Sequence, residues 1–191
     1  MVFKICLIGC GRHSRTVHGP SFRKYADLNP QVILAACCDM DAMKAAEYSR
    51  EFGFMKSYTD FEKMLDEERP DAVSIVTPVE ATFGVASKVM KLGYPVILEK
   101  PPGINSQEAR ELLAISRQYN IPNRVAFNRR FMPLVRKLKQ LMYENLKSGS
   151  IQNIDYYMGR FKRTDPDFST TAIHGIDAVK YIMDSNYSYV R

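Results

Sequence analysis

The sequence predicts an α/β fold, a doubly wound parallel sheet followed by a second, incomplete α/β domain with an open sheet, on three observations. Five apolar runs of strand length recur through the first 127 residues, nearly continuous rather than alternating, as strands covered on both faces require. Helical patterns alternate with them. A glycine-bearing turn directly follows the first run, where such a fold passes from strand into helix.

The strands are expected at Val2–Ile8, Val32–Cys38, Ala72–Val76, Val96–Leu98 and Arg124–Phe127. Between them, Met40–Phe52 carries Ala42, Ala45 and Ala46 and stops at Gly53, the residue best suited to end a helix. Met55–Tyr58 and Asp60–Asp66 read as a small strand and helix. Glu80–Leu92 ends at Gly93, and Ser106–Asn120 follows an Asn-Ser start with Pro122 beyond it. After Phe127 the pattern changes. Phe131, Leu134, Val135, Leu138, Leu141 and Met142 keep helical spacing with basic residues between them, and Gly149 closes that helix. A long strand is expected over Ile151–Phe161, a helix over Thr170–Met183, and the beginning of a strand at Tyr187–Val190. These elements place one domain at 1–123 and the unfinished second at 124–191.

The chain has 191 residues, 46% hydrophobic and 25% charged, which excludes disordered, collagen-like and membrane-spanning classes. No apolar run approaches the ~20 residues of a bilayer-spanning helix, and the first residues lack a signal peptide's features. A cytoplasmic location is expected. The net charge of +6 is confined to residues 124–147, where Arg124, Arg129, Arg130, Arg136, Lys137, Lys139 and Lys147 face Glu144 alone. No aromatic ladder interleaves them, so a solvated helix face is preferred to nucleic-acid binding. Cys6, Cys10, Cys37 and Cys38 match no zinc spacing and read as core thiols; no metal site is expected.

Five motifs carry chemistry. Gly9-Cys10-Gly11-Arg12-His13-Ser14 follows the first strand, where one glycine permits a tight turn and another a close approach of backbone to a pyrophosphate, with Ser14 at the third, packing position. The helix beginning there offers N–H donors and partial positive charge. Asp39, 28 positions after Gly11, suits a ribose 2′-hydroxyl and would repel a 2′-phosphate, favouring NAD while leaving NADP open; it suits a helix N-cap equally, and Asp39 and Asp41 could divide those jobs. Thr77-Pro78 and Glu99-Lys100-Pro101-Pro102 fall beyond the carboxyl ends of strands, where ligands bind in open α/β sheets. Thr170, His174 and Asp177 form one stripe of a helix, extended by Tyr181, opposite Ala172, Ile176, Val179 and Met183, which are expected to pack.

In this order the motifs resemble the Gfo/Idh/MocA family of NAD(P)-dependent oxidoreductases. Glu99-Lys100-Pro101 is similar to its strand-five signature, Asn128–Pro133 to the segment leading into its second domain, and His174-Gly175-Ile176-Asp177 to its His-x-x-Asp helix. The resemblance implies a Rossmann domain and hydride transfer between nicotinamide and a sugar, cyclitol or related hydroxy or carbonyl compound. It implies catalytic roles for His174, as proton acceptor, and Lys100, as binder of the reacting oxygen. Gly9, Gly11, Arg12, His13, Asp39, Thr77, Pro78 and Glu99 would hold the cofactor, and Arg130, Thr170 and Asp177 the substrate. Neither nucleic acid nor membrane is an expected partner, and a completed second domain could support a homo-oligomer. Thr170 stands where many members carry Asp, and Val79 and Thr82 replace frequent Asn and His. A non-catalytic, dinucleotide-binding regulator of the same fold is the alternative.

Overall fold

A computed structural model describes residues 2–146, 150–159 and 169–188, with side chains from Ala172 onward in the last stretch. The chain divides into two compact units, Met1–Ala126 and Phe127–Arg191.

The first unit is a six-stranded sheet in the order β3-β2-β1-β4-β5-β6, every adjacent pair parallel. Its strands are β1 (Phe3–Ile8), β2 (Val32–Cys38), β3 (Lys56–Tyr58), β4 (Ala72–Ile75), β5 (Val96–Leu98) and β6 (Asn123–Val125). Its helices are α1 (Gly19–Leu28), α2 (Ala42–Phe52), α3 (Phe61–Glu68), α4 (Val79–Lys91) and α5 (Ser106–Gln118), with a π-helical turn at Ser14–His18 ahead of α1. Successive residues of β1 enter opposite cores. Cys6 and Ile8 join Met64, Leu65, Val89, Met90 and Leu112 from α3, α4 and α5. Ile5 and Leu7 join Tyr48 and Phe52 of α2 and pack with Phe22 and Ala26 of α1. Both faces are dry, which is why these strands read as unbroken apolar runs. All four cysteines are free and buried; burial pushes the Cys6 and Cys38 thiols up to about 12, so they remain protonated packing groups.

Helix starts follow side-chain caps. Asp41 Oδ1 accepts from the N–H groups of Met43 and Lys44 at 3.0 and 3.2 Å, so α2 begins at Ala42 rather than at Met40. Asp60 caps α3 in the same way, and Asn105 caps α5. The sixth strand pairs as Val96↔Asn123 through Leu98↔Val125, ending before Phe127 because β5 offers only three partners.

The second unit holds a 3₁₀ turn (Asn128–Phe131), α6 (Pro133–Asn145) and α7 (Ser169–Met183). The strand expected over Ile151–Phe161 is not formed at 151–159, and Tyr187 and Ser188 are not in a strand either; the remaining positions of both lie outside the described residues. A strand needs a ladder partner for its backbone groups, and no strand occurs among the described residues of this unit. The expected packing of α7 is corrected in part. Ala172 is buried as expected and Val179 and Met183 are half-buried, but Ile176 is 55% exposed, while His174, Asp177, Ala178 and Ile182 are buried. The polar stripe turns inward because Asp177 finds a charged partner there, described below. Gly175 lies against Tyr156 so closely that a Cβ would sit 3.0 Å from the ring, which accounts for glycine inside this helix.

Candidate functional site

In the first unit the site is built where strand order reverses, beyond the carboxyl ends of β1 and β4, the usual crevice for ligands in a doubly wound sheet. The two glycines after β1 serve different ends. Gly9 has φ +102°, and a Cβ there would lie 2.2 Å from the Val76 carbonyl oxygen, so the chain can leave β1 against the end of β4 only as glycine. At Gly11 a Cβ would meet nothing within 4 Å. The fold does not require glycine at 11, but an approaching anion would. Between them, the Cys10 N–H donates to Asp39 Oδ2 at 2.9 Å and its thiol to the Cys38 carbonyl at 3.6 Å, which fastens the loop to the end of β2.

Ser14, at the third glycine position, is buried, and its hydroxyl pairs with the Tyr48 hydroxyl at 2.8 Å. Arg12 and His13 are exposed at the start of the helical segment. The first N–H groups of a helix have no partner within it and carry partial positive charge, so this turn can receive an anion.

The two aspartates after β2 divide their work. Asp41 caps α2, while Asp39 accepts from Cys10 through Oδ2 and from the Asp41 N–H through Oδ1 at 3.0 Å. Asp39 is half-buried, and each of its oxygens keeps a lone pair for a hydroxyl. After β4, the Thr77 hydroxyl is 3.0 Å from that of Thr82, which is buried and also donates to the Pro78 carbonyl at 3.1 Å. Thr82 thereby fixes the first turn of α4.

After β5, Glu99 is buried and anchors a cluster. Its Oε1 is 2.8 Å from His18 Nε2 and 3.4 Å from His13 Nε2, and its Oε2 accepts the Lys100 N–H at 3.0 Å. Burial opposes its ionisation most strongly, but the His18 bond and charge, the Lys100 N–H and the His13 charge together hold its carboxyl below the usual value. Lys100 itself is half-buried.

The second unit carries its own polar set. Arg130 makes a two-pronged pair with Asp177, Nε to Oδ2 at 2.8 Å and the other nitrogen to Oδ1. Its guanidinium centre lies 5.4 Å from the Phe127 ring and 5.9 Å from that of Tyr181. The bond to Asp177 raises the Arg130 pKa, so the guanidinium keeps its charge. His174 is buried one turn before Asp177. The Thr170 side chain, like Asp165 and Asp167, lies outside the described residues.

Two contributors escaped the sequence reading. His18 has no motif of its own; the one signal was that a glutamate ending a buried strand needs a partner. Tyr48 could have been inferred from a hydroxyl replacing glycine at a packing position.

The family model described as "Oxidoreductase family, NAD-binding Rossmann fold" matches residues 3–127. The chain is 28% identical over 149 residues to a D-apiose dehydrogenase from Paraburkholderia graminis, covering 78% of this chain and 37% of that protein. It superposes on an NAD binding oxidoreductase from Klebsiella pneumoniae with a TM-score of 0.69 and 27% identity, over 75% of this chain and 39% of that one. A scyllo-inositol dehydrogenase from Lactobacillus casei shares the fold over 96% of this chain and 57% of its own, with a TM-score of 0.77 and 21% identity. The chain spans about half or less of the length of the curated relatives it matches. No helix among the described residues is long and apolar enough to cross a membrane.

Proposed function

The chain belongs to the Gfo/Idh/MocA oxidoreductase family, with its NAD-binding Rossmann fold, and from that premise we propose that it serves hydride transfer between NAD and a CH–OH group of a sugar, cyclitol or related compound. The observation that carries the reading is the open space in front of Gly11, at a helix start and at the reversal of strand order, with a carboxylate at the end of the neighbouring strand.

Gly11, Arg12 and His13 would hold the pyrophosphate through backbone N–H groups and positive charge. Asp39 would accept from the ribose, and its negative charge would disfavour a 2′-phosphate. Thr77, Pro78 and Glu99 would border the nicotinamide end, with Gly9 setting the loop's path. When bound, the cofactor supplies a hydride acceptor at nicotinamide C4. The chain's own part is to orient the substrate and take the hydroxyl proton. His174 suits that proton because imidazole titrates near neutrality. The Lys100 ammonium would polarise the reacting oxygen, and Arg130, Thr170 and Asp177 would orient the substrate, Asp177 through the fixed guanidinium fork. The relative named for D-apiose supports the sugar class, and the dehydrogenase names favour the catalytic reading over a regulatory one.

The test is NADH binding to the purified chain, followed by nicotinamide fluorescence. Gly11→Ala should weaken binding about tenfold or more while thermal unfolding stays within experimental error, since the new Cβ meets no protein atom. Wild-type affinity in Gly11→Ala would remove the main support for the site.

A further inference from the structure

We propose that His13, His18 and Glu99 form a site for one first-row divalent metal ion of the zinc type, held by two imidazole nitrogens and one carboxylate oxygen. This goes beyond the dinucleotide reading and does not depend on it.

The three donor atoms lie within 4.8 Å of one another. Glu99 Oε1 is 2.8 Å from His18 Nε2 and 3.4 Å from His13 Nε2. Zinc bonds of about 2.0–2.1 Å in tetrahedral geometry place neighbouring ligand atoms about 3.3 Å apart, so small side-chain rotations suffice. The backbone has a feature that produces this cluster. Residues five apart on an α-helix point about 140° away from each other. Here the segment is wound as a π turn, with the Gly19 N–H bonded to the Ser14 carbonyl, and the rings of His13 and His18 meet edge-on at 5.5 Å. Such single π turns are uncommon and concentrate at functional sites.

Glu99 arrives from the end of β5, 81 residues after His18. Its second oxygen is held by the Lys100 N–H, and the His18 ring packs near Phe22 at 6.4 Å, so two ligands are oriented from behind. Two imidazoles and one carboxylate suit zinc, cobalt or nickel rather than magnesium or calcium. His13 is 56% exposed and gives the ion a way in, while the four thiols are buried. On binding, the ion takes the place of the hydrogen between His18 Nε2 and Glu99 Oε1, and the metal-bound imidazole carries its ring hydrogen on Nδ1. Three protein ligands leave a coordination position open to water or an anionic oxygen.

Cobalt titration of the tag-free chain without dinucleotide tests the site. One equivalent should give a saturable visible absorption typical of nitrogen and oxygen ligands, displaced by zinc and untouched by magnesium. His13→Ala and Glu99→Gln should each weaken cobalt about tenfold or more, with unchanged far-UV circular dichroism. His13 is exposed, so its variant decides the matter even where Glu99→Gln unfolds. Unchanged cobalt affinity in His13→Ala, absence of saturable binding, or a thiolate charge-transfer band would each overturn the proposal.

Discussion

The two units hold their polar groups in place by opposite means. In Met1–Ala126 a sheet with two dry faces fixes the strand ends, and the candidate site consists of loops held at those ends by backbone N–H groups bonded to carboxylates, Cys10 to Asp39 and Lys100 to Glu99. In Phe127–Arg191, α6 buries no residue, Leu134 is 80% exposed, and an ion pair, Arg130 on Asp177, lies near the Phe127 and Tyr181 rings. The lesson is that a core-built site tolerates loss of one polar contact but not a backbone intrusion. A pair-built site is the reverse.

The largest expected effect tests the first half of that contrast. Gly9→Ala would force a side chain into a left-handed conformation and against the Val76 carbonyl, both backbone features of packed strands. We expect a loss of about 3 kcal/mol or more in urea unfolding. A loss below about 1 kcal/mol would mean that the end of β1 yields easily and that the contrast between the units is false.

The second unit is tested by its pair. Arg130→Met strands the Asp177 carboxylate, 7% exposed, without its fork of donors. Removing one partner of a buried pair costs several kcal/mol, and the partial exposure of Arg130 lowers the expectation to about 2 kcal/mol. Adding Asp177→Leu should recover most of that loss, because two apolar groups leave no charge to solvate. A double-mutant cycle on α7 helicity reads the coupling. Additive losses would show that packing on Phe127 and Tyr181, not the pair, holds this unit.

The same contrast explains what the sequence could show. The strands β1, β2, β4 and β5 were legible because double burial writes itself as an unbroken apolar run. The cap of α2 was legible as one of two jobs open to Asp39 and Asp41, since an acid at a strand-to-helix turn suits either ribose binding or capping; the structure gives the cap to Asp41. His18 was not legible, because a π turn shifts which side chains share a face and leaves no pattern in residue type. The inward turn of His174 and Asp177 was legible only as one of two alternatives, since a polar helix stripe can meet solvent or a cleft, and the partner that draws Asp177 inward, Arg130, lies 47 residues away. The strand expected from Ile151 is not formed over 151–159 for a related reason: a strand needs a second strand to pair with, and none occurs among the described residues of this unit.

The smallest effect separates the units by acid. Glu99 has a folded pKa below its ordinary value, held there against burial by His18, the Lys100 N–H and His13. Its unfolded value is near 4.3. Above that value both states are ionised and the stabilisation is fully present. As pH falls through the unfolded value, the unfolded chain takes up the proton first, and stability is lost until the folded carboxyl is protonated too. Urea midpoints of the wild type should therefore fall on acidification below about pH 5. Glu99→Gln, which keeps the shape and removes the titrating group, should lower the midpoint at neutral pH and make the acid limb shallower. His18→Phe should flatten the same limb by removing the nearest partner, whose bond at 2.8 Å contributes most to holding the carboxylate ionised. If both variants retain the wild-type acid slope, the acid sensitivity lies in other carboxylates, such as Glu68, which is held low by Lys56 and Tyr58 against the opposing effect of burial. The first unit would then draw its acid response from the edge of its sheet rather than from the loops that carry the candidate site.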